Sequence, residues 1–102
     1  MINISIIGLG FMGQNHLRVL SELQDFKIDY LFDRNTKKAK ELARRYNTKQ
    51  TNNLNSVVHS SDAVIIATPT KDHIKYLNFF SKSKLKIFIE KPIVSNFKQL
   101  IK

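Results

Sequence analysis

The stretch that decides the fold is Ile4-Ser5-Ile6-Ile7-Gly8-Leu9-Gly10-Phe11-Met12-Gly13. An apolar run typical of a buried strand leads directly into three glycines at the spacing G-x-G-x-x-G, and a segment with helical spacing follows. A strand, a glycine turn and a helix in this order form the arrangement that binds the diphosphate of a dinucleotide. The stretch therefore predicts a strand over residues 2–7 and an anion-binding turn after it.

Each glycine has a separate predicted task. Gly8 allows a tight turn, Gly10 lets the backbone approach a diphosphate, and Gly13 lets the helix pack closely on the strand. The backbone N–H groups of Phe11, Met12 and Gly13 lie at the positive end of the helix dipole, where they bind anions. The alternative is a glycine turn that holds no ligand, and the motif alone does not exclude it.

An acidic residue at the expected distance supports the ligand. Asp33 lies 20 residues after Gly13 and closes a second apolar run over 28–32. A carboxylate there accepts hydrogen bonds from the adenosine ribose and repels a 2′-phosphate, which favours NAD over NADP. Arg34 keeps NADP open, because its guanidinium would pair with that phosphate or stack on adenine. The alternative role for Asp33 is a helix cap or a turn residue.

Strand candidates alternate with helix candidates along the chain, which predicts an α/β fold with a doubly wound parallel sheet of about five or six strands. After the first two strands, a weak third strand is expected near 49–51. A continuous apolar run at 63–67 is typical of a central strand buried on both faces. A last strand is expected at 86–89.

The predicted helices follow from apolar spacing and caps. The helix after the glycines carries Leu17, Leu20 and Leu23, and the next helix has Asn35 or Thr36 as its cap. The spacing also predicts a buried stripe of Ala39, Leu42, Ala43 and Tyr46 on the second helix; a short helix over 53–59; a helix over 72–80 with Ile74, Leu77 and Phe80 inward; and a final helix beginning near Phe97.

Composition excludes several classes of protein. The 102 residues suffice for one domain, and the absence of cysteine excludes disulfides and thiol chemistry. The formal charge of +9 raises the question of nucleic acid, but the basic residues are spread and do not alternate with aromatic ones. We therefore expect a lysine-rich solvated surface and no nucleic-acid partner. The histidines are not spaced as a metal site, so no metal is expected.

No apolar stretch is long enough to cross a membrane, and the N-terminus runs straight into the first strand. We expect no membrane partner and a cytoplasmic location.

The combination of motifs resembles the N-terminal domain of the Gfo/Idh/MocA oxidoreductases. The resemblance is carried by the glycine motif with Met12, by Asp33, by Ala67-Thr68-Pro69 followed by His73, and by Glu90-Lys91-Pro92. It covers essentially the whole chain. The glycine motif alone would not single out this family, whereas the two proline-containing motifs in this order are much more specific.

The resemblance implies further site residues. Thr68 and Pro69 would border the nicotinamide half of the cofactor, and His73 would begin the helix beneath it. Lys91 would reach the nicotinamide ribose and the substrate, with Glu90 beside it. Independently of the family, a lysine leaving the carboxyl end of a strand lies on the edge where doubly wound sheets bind ligands. There its ammonium would polarise the reacting oxygen during hydride transfer, which makes Lys91 the predicted catalytic residue.

The resemblance also implies that residues 1–102 are the NAD(P)-binding domain of a dehydrogenase acting on a sugar, nucleotide sugar or cyclitol. Family members have a second domain that forms the substrate wall and the homo-oligomer contact, so the chain is expected to be a fragment, inactive alone. The alternative is a non-catalytic nucleotide-binding or regulatory module that uses the same pocket.

Overall fold

The computed structural model describes residues 1–89. Glu90, Lys91 and the helix expected near Phe97 lie outside the described residues. In chain order the elements are β1 (Ile2–Ile7), α1 (Phe11–Ser21), β2 (Phe26–Phe32), α2 (Thr36–Arg45), β3 (Lys49–Gln50), α3 (Leu54–Ser60), β4 (Ala63–Ile66), α4 (Thr70–Ser81) and β5 (Lys86–Ile89).

Within residues 1–89 the sheet has five strands in the order β3-β2-β1-β4-β5, and every pair is parallel. The chain winds outward from β1 to β3 and then returns to continue on the other side of β1 with β4. Such a reversal leaves a crevice at the carboxyl ends of the two central strands, where open α/β sheets bind ligands. The expectation of a doubly wound parallel sheet is confirmed.

Two apolar clusters hold helices on opposite faces of this sheet. On one face, the buried side chains of Leu17 in α1 and Leu42 in α2 pack against Ile6 of β1. On the other face, Val57 in α3 and Phe80 in α4 belong to a second buried cluster. Central strands covered on both sides need apolar residues at consecutive positions, which explains the unbroken run of β4.

The ends of several elements differ from the sequence expectation. Helix α1 ends at Ser21, and Leu23 lies beyond it with 45% of its surface exposed. Leu23 was expected on the buried stripe because it continues the spacing of Leu17 and Leu20, but spacing does not show where a helix stops. Strand β2 begins at Phe26 rather than 28, and β4 ends at Ile66 rather than 67.

Helix α4 begins at Thr70, two residues before the expected start, with Pro69 as its N-cap. Its fully buried positions are His73, Tyr76 and Phe80. The expectation for Phe80 is confirmed, whereas Ile74 and Leu77 are only partly buried. Amphipathic His and Tyr side chains occupy the inward positions, and a pattern search for aliphatic residues passes over them.

Candidate dinucleotide-binding cleft

Gly8 and Gly13 are required by the close approach of β1, α1 and β4. Gly8 has φ +100°, and a Cβ there would come within 2.7 Å of the backbone of Ala67 and Thr68. A Cβ on Gly13 would overlap the carbonyl oxygen of Gly8. Both positions therefore exclude larger residues through the fold itself, without reference to a ligand.

Gly10 differs from the other two, because a Cβ there would meet no protein atom within 4 Å. It is the N-cap of α1 and provides no side-chain cap. The first N–H groups of a helix have no hydrogen-bond acceptor inside the helix. Within residues 1–89, no atom accepts a hydrogen bond from the backbone N–H of Phe11, Met12 or Gly13. The turn therefore offers an open approach to bare amides, which suits an anion.

Asp33 follows β2 directly and faces this turn. Its Oδ1 accepts a hydrogen bond from the N–H of Leu9 at 2.7 Å, and its Oδ2 accepts one from the N–H of Asn35 at 2.8 Å. A carboxylate has about four acceptor sites, so two such bonds leave capacity for ribose hydroxyls. Asn35 in turn caps α2 through its side chain, which confirms one of the two expected caps.

Three cations and two carboxylates line the cleft. Arg34 lies 3.7 Å from Asp72 of α4, and the Lys38 Nζ lies 3.4 Å from the carbonyl oxygen of Leu9. Lys71 is the third cation, and Asp33 is the second carboxylate. The excess of positive charge, together with the N-terminus of α1, favours an anionic ligand.

The wall opposite the glycine turn comes from the end of β4 and from α4. The Thr68 side-chain oxygen is buried there without a hydrogen-bond partner among the described residues. The Tyr76 ring meets Phe32 edge-on, with ring centres 5.9 Å apart. Burial raises the pKa of the Tyr76 hydroxyl above its usual 10.0, and the charge of Asp72 raises it further. Tyr76 is therefore neutral at physiological pH.

Between the glycine turn and this wall lies an open cleft of about 490 Å³, at the carboxyl ends of β1, β2 and β4. It brings together most of the predicted binding residues: Gly8, Gly10, Phe11, Met12, Asp33, Arg34, Thr68 and Pro69. Gly13 and His73 are buried and do not line it. Glu90 and Lys91 lie outside the described residues, and Lys91 is two positions after the last residue of β5.

Sequence reasoning missed Lys38, Lys71, Asp72 and Tyr76 as lining residues. For Lys38 a signal existed, since it lies in the first turn of the helix that follows Asp33. Asp72 and Tyr76 are four residues apart and share one face of α4. Their position was not accessible from the sequence, because it depends on where α4 begins and on how the helix rotates against the sheet.

The described residues contain neither a metal centre nor a membrane-crossing helix. Within residues 1–89, no group of three or more His, Cys, Asp or Glu side chains is placed to hold a metal ion. Over the same residues, no helix combines the length and apolar character that a membrane crossing requires.

The observations converge on one ligand class. The turn provides bare amides over an open glycine, a carboxylate with spare acceptor sites stands at the end of β2, and an unpartnered hydroxyl faces them across the cleft. These residues fit a dinucleotide with a diphosphate between two riboses. The fold and the cleft therefore define a Rossmann-type dinucleotide-binding domain.

Comparison with known proteins identifies the family. The model of the Gfo/Idh/MocA oxidoreductase family, described as having an NAD-binding Rossmann fold, matches residues 2–102. The chain belongs to this family, as its motifs indicated, and the prediction of an NAD-binding domain is confirmed.

Two curated relatives and one solved structure show how much of a family member the chain represents. The relatives are 2,7-anhydro-N-acetylneuraminate hydratase from Escherichia coli and scyllo-inositol 2-dehydrogenase (NADP⁺) IolU from Bacillus subtilis. Each is 28% identical, over 99% and 97% of this chain but only 27% and 31% of its own length.

A putative myo-inositol dehydrogenase from Sinorhizobium meliloti superposes with a TM-score of 0.90 at 24% identity, over 99% of this chain and 31% of its own. The chain thus spans less than a third of the length of these proteins.

Proposed function

We propose that residues 1–102 form one domain that holds NAD in the cleft. The amides of Phe11, Met12 and Gly13 bind the diphosphate, and Asp33 binds the adenosine ribose. The proposal is supported above all by Gly10, which the fold leaves free to carry a side chain and which opens onto those amides. At the other end, Thr68 and Pro69 border the nicotinamide, with the unpartnered Thr68 hydroxyl available to it.

NADP is the second candidate cofactor. Asp33 opposes a 2′-phosphate, whereas Arg34 and Lys38 beside it attract one. The relative IolU is named as an NADP⁺ enzyme. We propose NAD as the preferred cofactor, because the carboxylate is fixed by two backbone N–H groups while Arg34 is exposed.

The protein to which this domain contributes is proposed to be a dehydrogenase that acts on a sugar, nucleotide sugar or cyclitol. Support comes from the family and from relatives named as inositol dehydrogenases. When bound, the nicotinamide supplies the acceptor or donor of a hydride. The chain's own contribution is to hold the cofactor and, through Lys91, to polarise the reacting oxygen of the substrate.

A binding experiment on the chain tests the first proposal. Calorimetric titration with NAD is expected to show one saturable site in the wild type and a loss of affinity of about tenfold or more in Gly10→Ala. The Lys84→Met variant is expected to bind NAD as the wild type does, since Lys84 is exposed and does not line the cleft. Wild-type protein that does not bind NAD would overturn the proposal.

Turnover tests the second proposal and separates a dehydrogenase from a regulatory module. It requires a form of the protein that also carries the second domain of the family. In that protein, Lys91→Met is expected to abolish NADH formation with inositol or sugar substrates even at NAD concentrations that saturate the variant. Binding without turnover in the unmodified protein, over a panel of such substrates, would favour the regulatory module. One relative is named a hydratase, so the same substrates are also tested for the addition of water.

A further inference from the structure

Strand β2 contains one more residue than its partner β1. Ile4 faces Ile28, but two positions later Ile6 faces Leu31, so the register shifts by one residue between these pairs. The extra residue falls within 29–30. This is a β-bulge in a parallel pair, where bulges are rare.

The bulge decides which face of the sheet Asp33 serves. Before it, Phe26 and Ile28 pack on the side of α1 and α2. After it, Leu31 packs on that side, and Phe32 belongs to the cluster on the opposite face. Because side chains alternate along a strand, Asp33 follows Leu31 toward α1 and reaches the glycine turn. If the same sequence paired with β1 without a bulge, in the register of Ile4 and Ile28 throughout, Asp33 would be directed to the face of α3 and α4.

Side chains form hydrogen bonds with the backbone at and beside the bulge. The N–H of Tyr30 donates to the Ser5 hydroxyl oxygen at 3.0 Å. The Thr48 hydroxyl is 2.8 Å from the carbonyl oxygen of Ile28 and 2.9 Å from that of Asp29. A buried backbone group without a partner costs about as much as a lost hydrogen bond, so these side chains stabilise the bulged form.

A polar network surrounds the bulge, and we call it the bulge cluster. Ser5, Asp29 and Ser61 are its buried members, and Lys49 and Ser60 are its exposed ones. Ser60 and Ser61 at the end of α3 donate to one carboxylate oxygen of Asp29 at 2.6 and 2.7 Å. The Lys49 ammonium lies 3.3 Å from the other oxygen. The hydroxyls of Ser5 and Ser61 are 2.6 Å apart, and Asp29 is only 5% exposed. The cluster thus ties β1, β2, β3 and α3 together at the bulge.

We propose that the bulge cluster fixes the direction of Asp33 and thereby sets the affinity of the cleft for the adenosine ribose. Ser5 and Asp29 are positioning residues, since they lie on the α3 face and act on the ligand through Asp33. The inference rests on the proposed function for the role of the ribose. The placement of Asp33 itself can be tested without any ligand.

A merely structural cluster and a positioning cluster predict different results. If the cluster only stabilises α3 against the sheet, its loss lowers the free energy of unfolding and leaves the glycine turn unchanged. If it holds the bulge, its loss also breaks the bond between Leu9 and Asp33. The variants Asp29→Val and Ser5→Ala remove different parts of the cluster. Val57→Ala, in the same helix as Ser60, is the control that destabilises α3 through an apolar cavity.

The first measurement is the NMR signal of the Leu9 amide in the ligand-free protein. A bond to the Asp33 carboxylate shifts this proton, and Asp33→Ala provides the reference position without the bond. In Asp29→Val and Ser5→Ala the signal is expected to move to the reference position. In Val57→Ala it is expected to stay at the wild-type position. If either cluster variant folds and keeps the wild-type signal, the proposal is overturned, and Ser5→Ala serves where Asp29→Val fails to fold.

The second measurement compares the affinity for ADP with that for 2′,3′-dideoxy-ADP, which lacks the ribose hydroxyls. Wild-type protein is expected to prefer ADP by about tenfold or more. The preference is expected to fall to about one in Asp33→Ala and in both cluster variants. Combining Asp29→Val with Asp33→Ala is expected to add nothing further, because both act on the same contact.

The two readouts distinguish failure of the inference from failure of the proposed function. Wild-type protein that binds neither NAD nor ADP, with a Leu9 signal that still depends on the bulge cluster, would end the proposed function and keep the positioning role. A normal preference for ADP in the cluster variants would end the positioning role and keep the proposed function.

Discussion

The backbone N–H of Leu9 donates to Oδ1 of Asp33 across 2.7 Å and joins the glycine turn to the end of β2. The other carboxylate oxygen is held by the N–H of Asn35. The carboxylate is therefore oriented before a ligand arrives, and binding need not order it. Such preorganisation lowers the entropic cost of association.

Gly10 and Gly13 provide a matched pair of substitutions. Gly10→Ala places a methyl group in open space, so it is expected to change the free energy of unfolding by no more than about 1 kcal/mol. Gly13→Ala pushes the same group into the carbonyl oxygen of Gly8 and is expected to unfold the domain or lower its melting temperature strongly. Thermal unfolding of both variants, followed by circular dichroism, checks this difference. Equal destabilisation would mean that Gly10 has a structural role after all.

Thr68→Val is expected to have opposite effects on stability and on binding. The Thr68 hydroxyl is buried with no partner among the described residues, so replacing it by a methyl group of the same shape removes an unsatisfied polar group. The free energy of unfolding is expected to rise by about 1 kcal/mol, while NAD affinity falls. Urea unfolding and calorimetry of the same preparation give both numbers. A variant that is less stable than the wild type would show that the hydroxyl already has a partner.

The parts of this site that sequence alone predicted are those defined by local chemistry. The glycine spacing, Asp33 at its distance from Gly13, and the apolar run of β4 each follow from one segment of chain. Asp72 and Tyr76 could not be predicted as lining residues, because their place depends on the rotation of α4 against the sheet.

The bulge was equally inaccessible to sequence reasoning. Asp29 in an apolar run has the pattern of an exposed position, and only the tertiary fold brings Ser60 and Lys49 to it. Leu23 shows the opposite error. It continues the apolar spacing of α1 and was expected to be buried, but it lies past the end of the helix and is exposed.

Cofactor preference is expected to depend on the balance of charge after β2. Asp33→Ser removes the anion that repels a 2′-phosphate and leaves Arg34 and Lys38 in place, so the ratio of NADP to NAD affinity is expected to rise by about tenfold or more. Adding Arg34→Gln is expected to reverse part of this gain. Calorimetric titration of each variant with both cofactors measures the ratio. An unchanged ratio in Asp33→Ser would place the adenosine ribose away from this residue.

Stability is expected to depend on pH through Asp29. Burial raises the pKa of Asp29, but bonds from Ser60, Ser61 and Lys49 outweigh it and hold the pKa below the usual 3.8. A lowered pKa stabilises the folded state above 3.8, and this contribution is lost as the pH falls through the lowered value. Asp29→Asn is expected to cost about 1–3 kcal/mol at neutral pH, with the difference from wild type shrinking in acid.

Lys49 contributes to the dependence of stability on pH in the alkaline range. Burial lowers its pKa, but the hydrogen bond and charge of Asp29 outweigh burial and raise the pKa above the usual 10.5. This contribution is present below 10.5 and is lost as the pH rises through the raised value. Urea unfolding of wild type and Asp29→Asn at a series of pH values measures both contributions. A difference that persists unchanged into acid would show that folding does not lower the pKa of Asp29.

A crystal structure of the protein with NAD tests the proposed binding mode most directly. We expect the diphosphate on the backbone N–H groups of Phe11, Met12 and Gly13, and the adenosine ribose hydroxyls on the Asp33 carboxylate. NAD bound with its diphosphate away from the glycine turn, or with its ribose out of reach of Asp33, would contradict it.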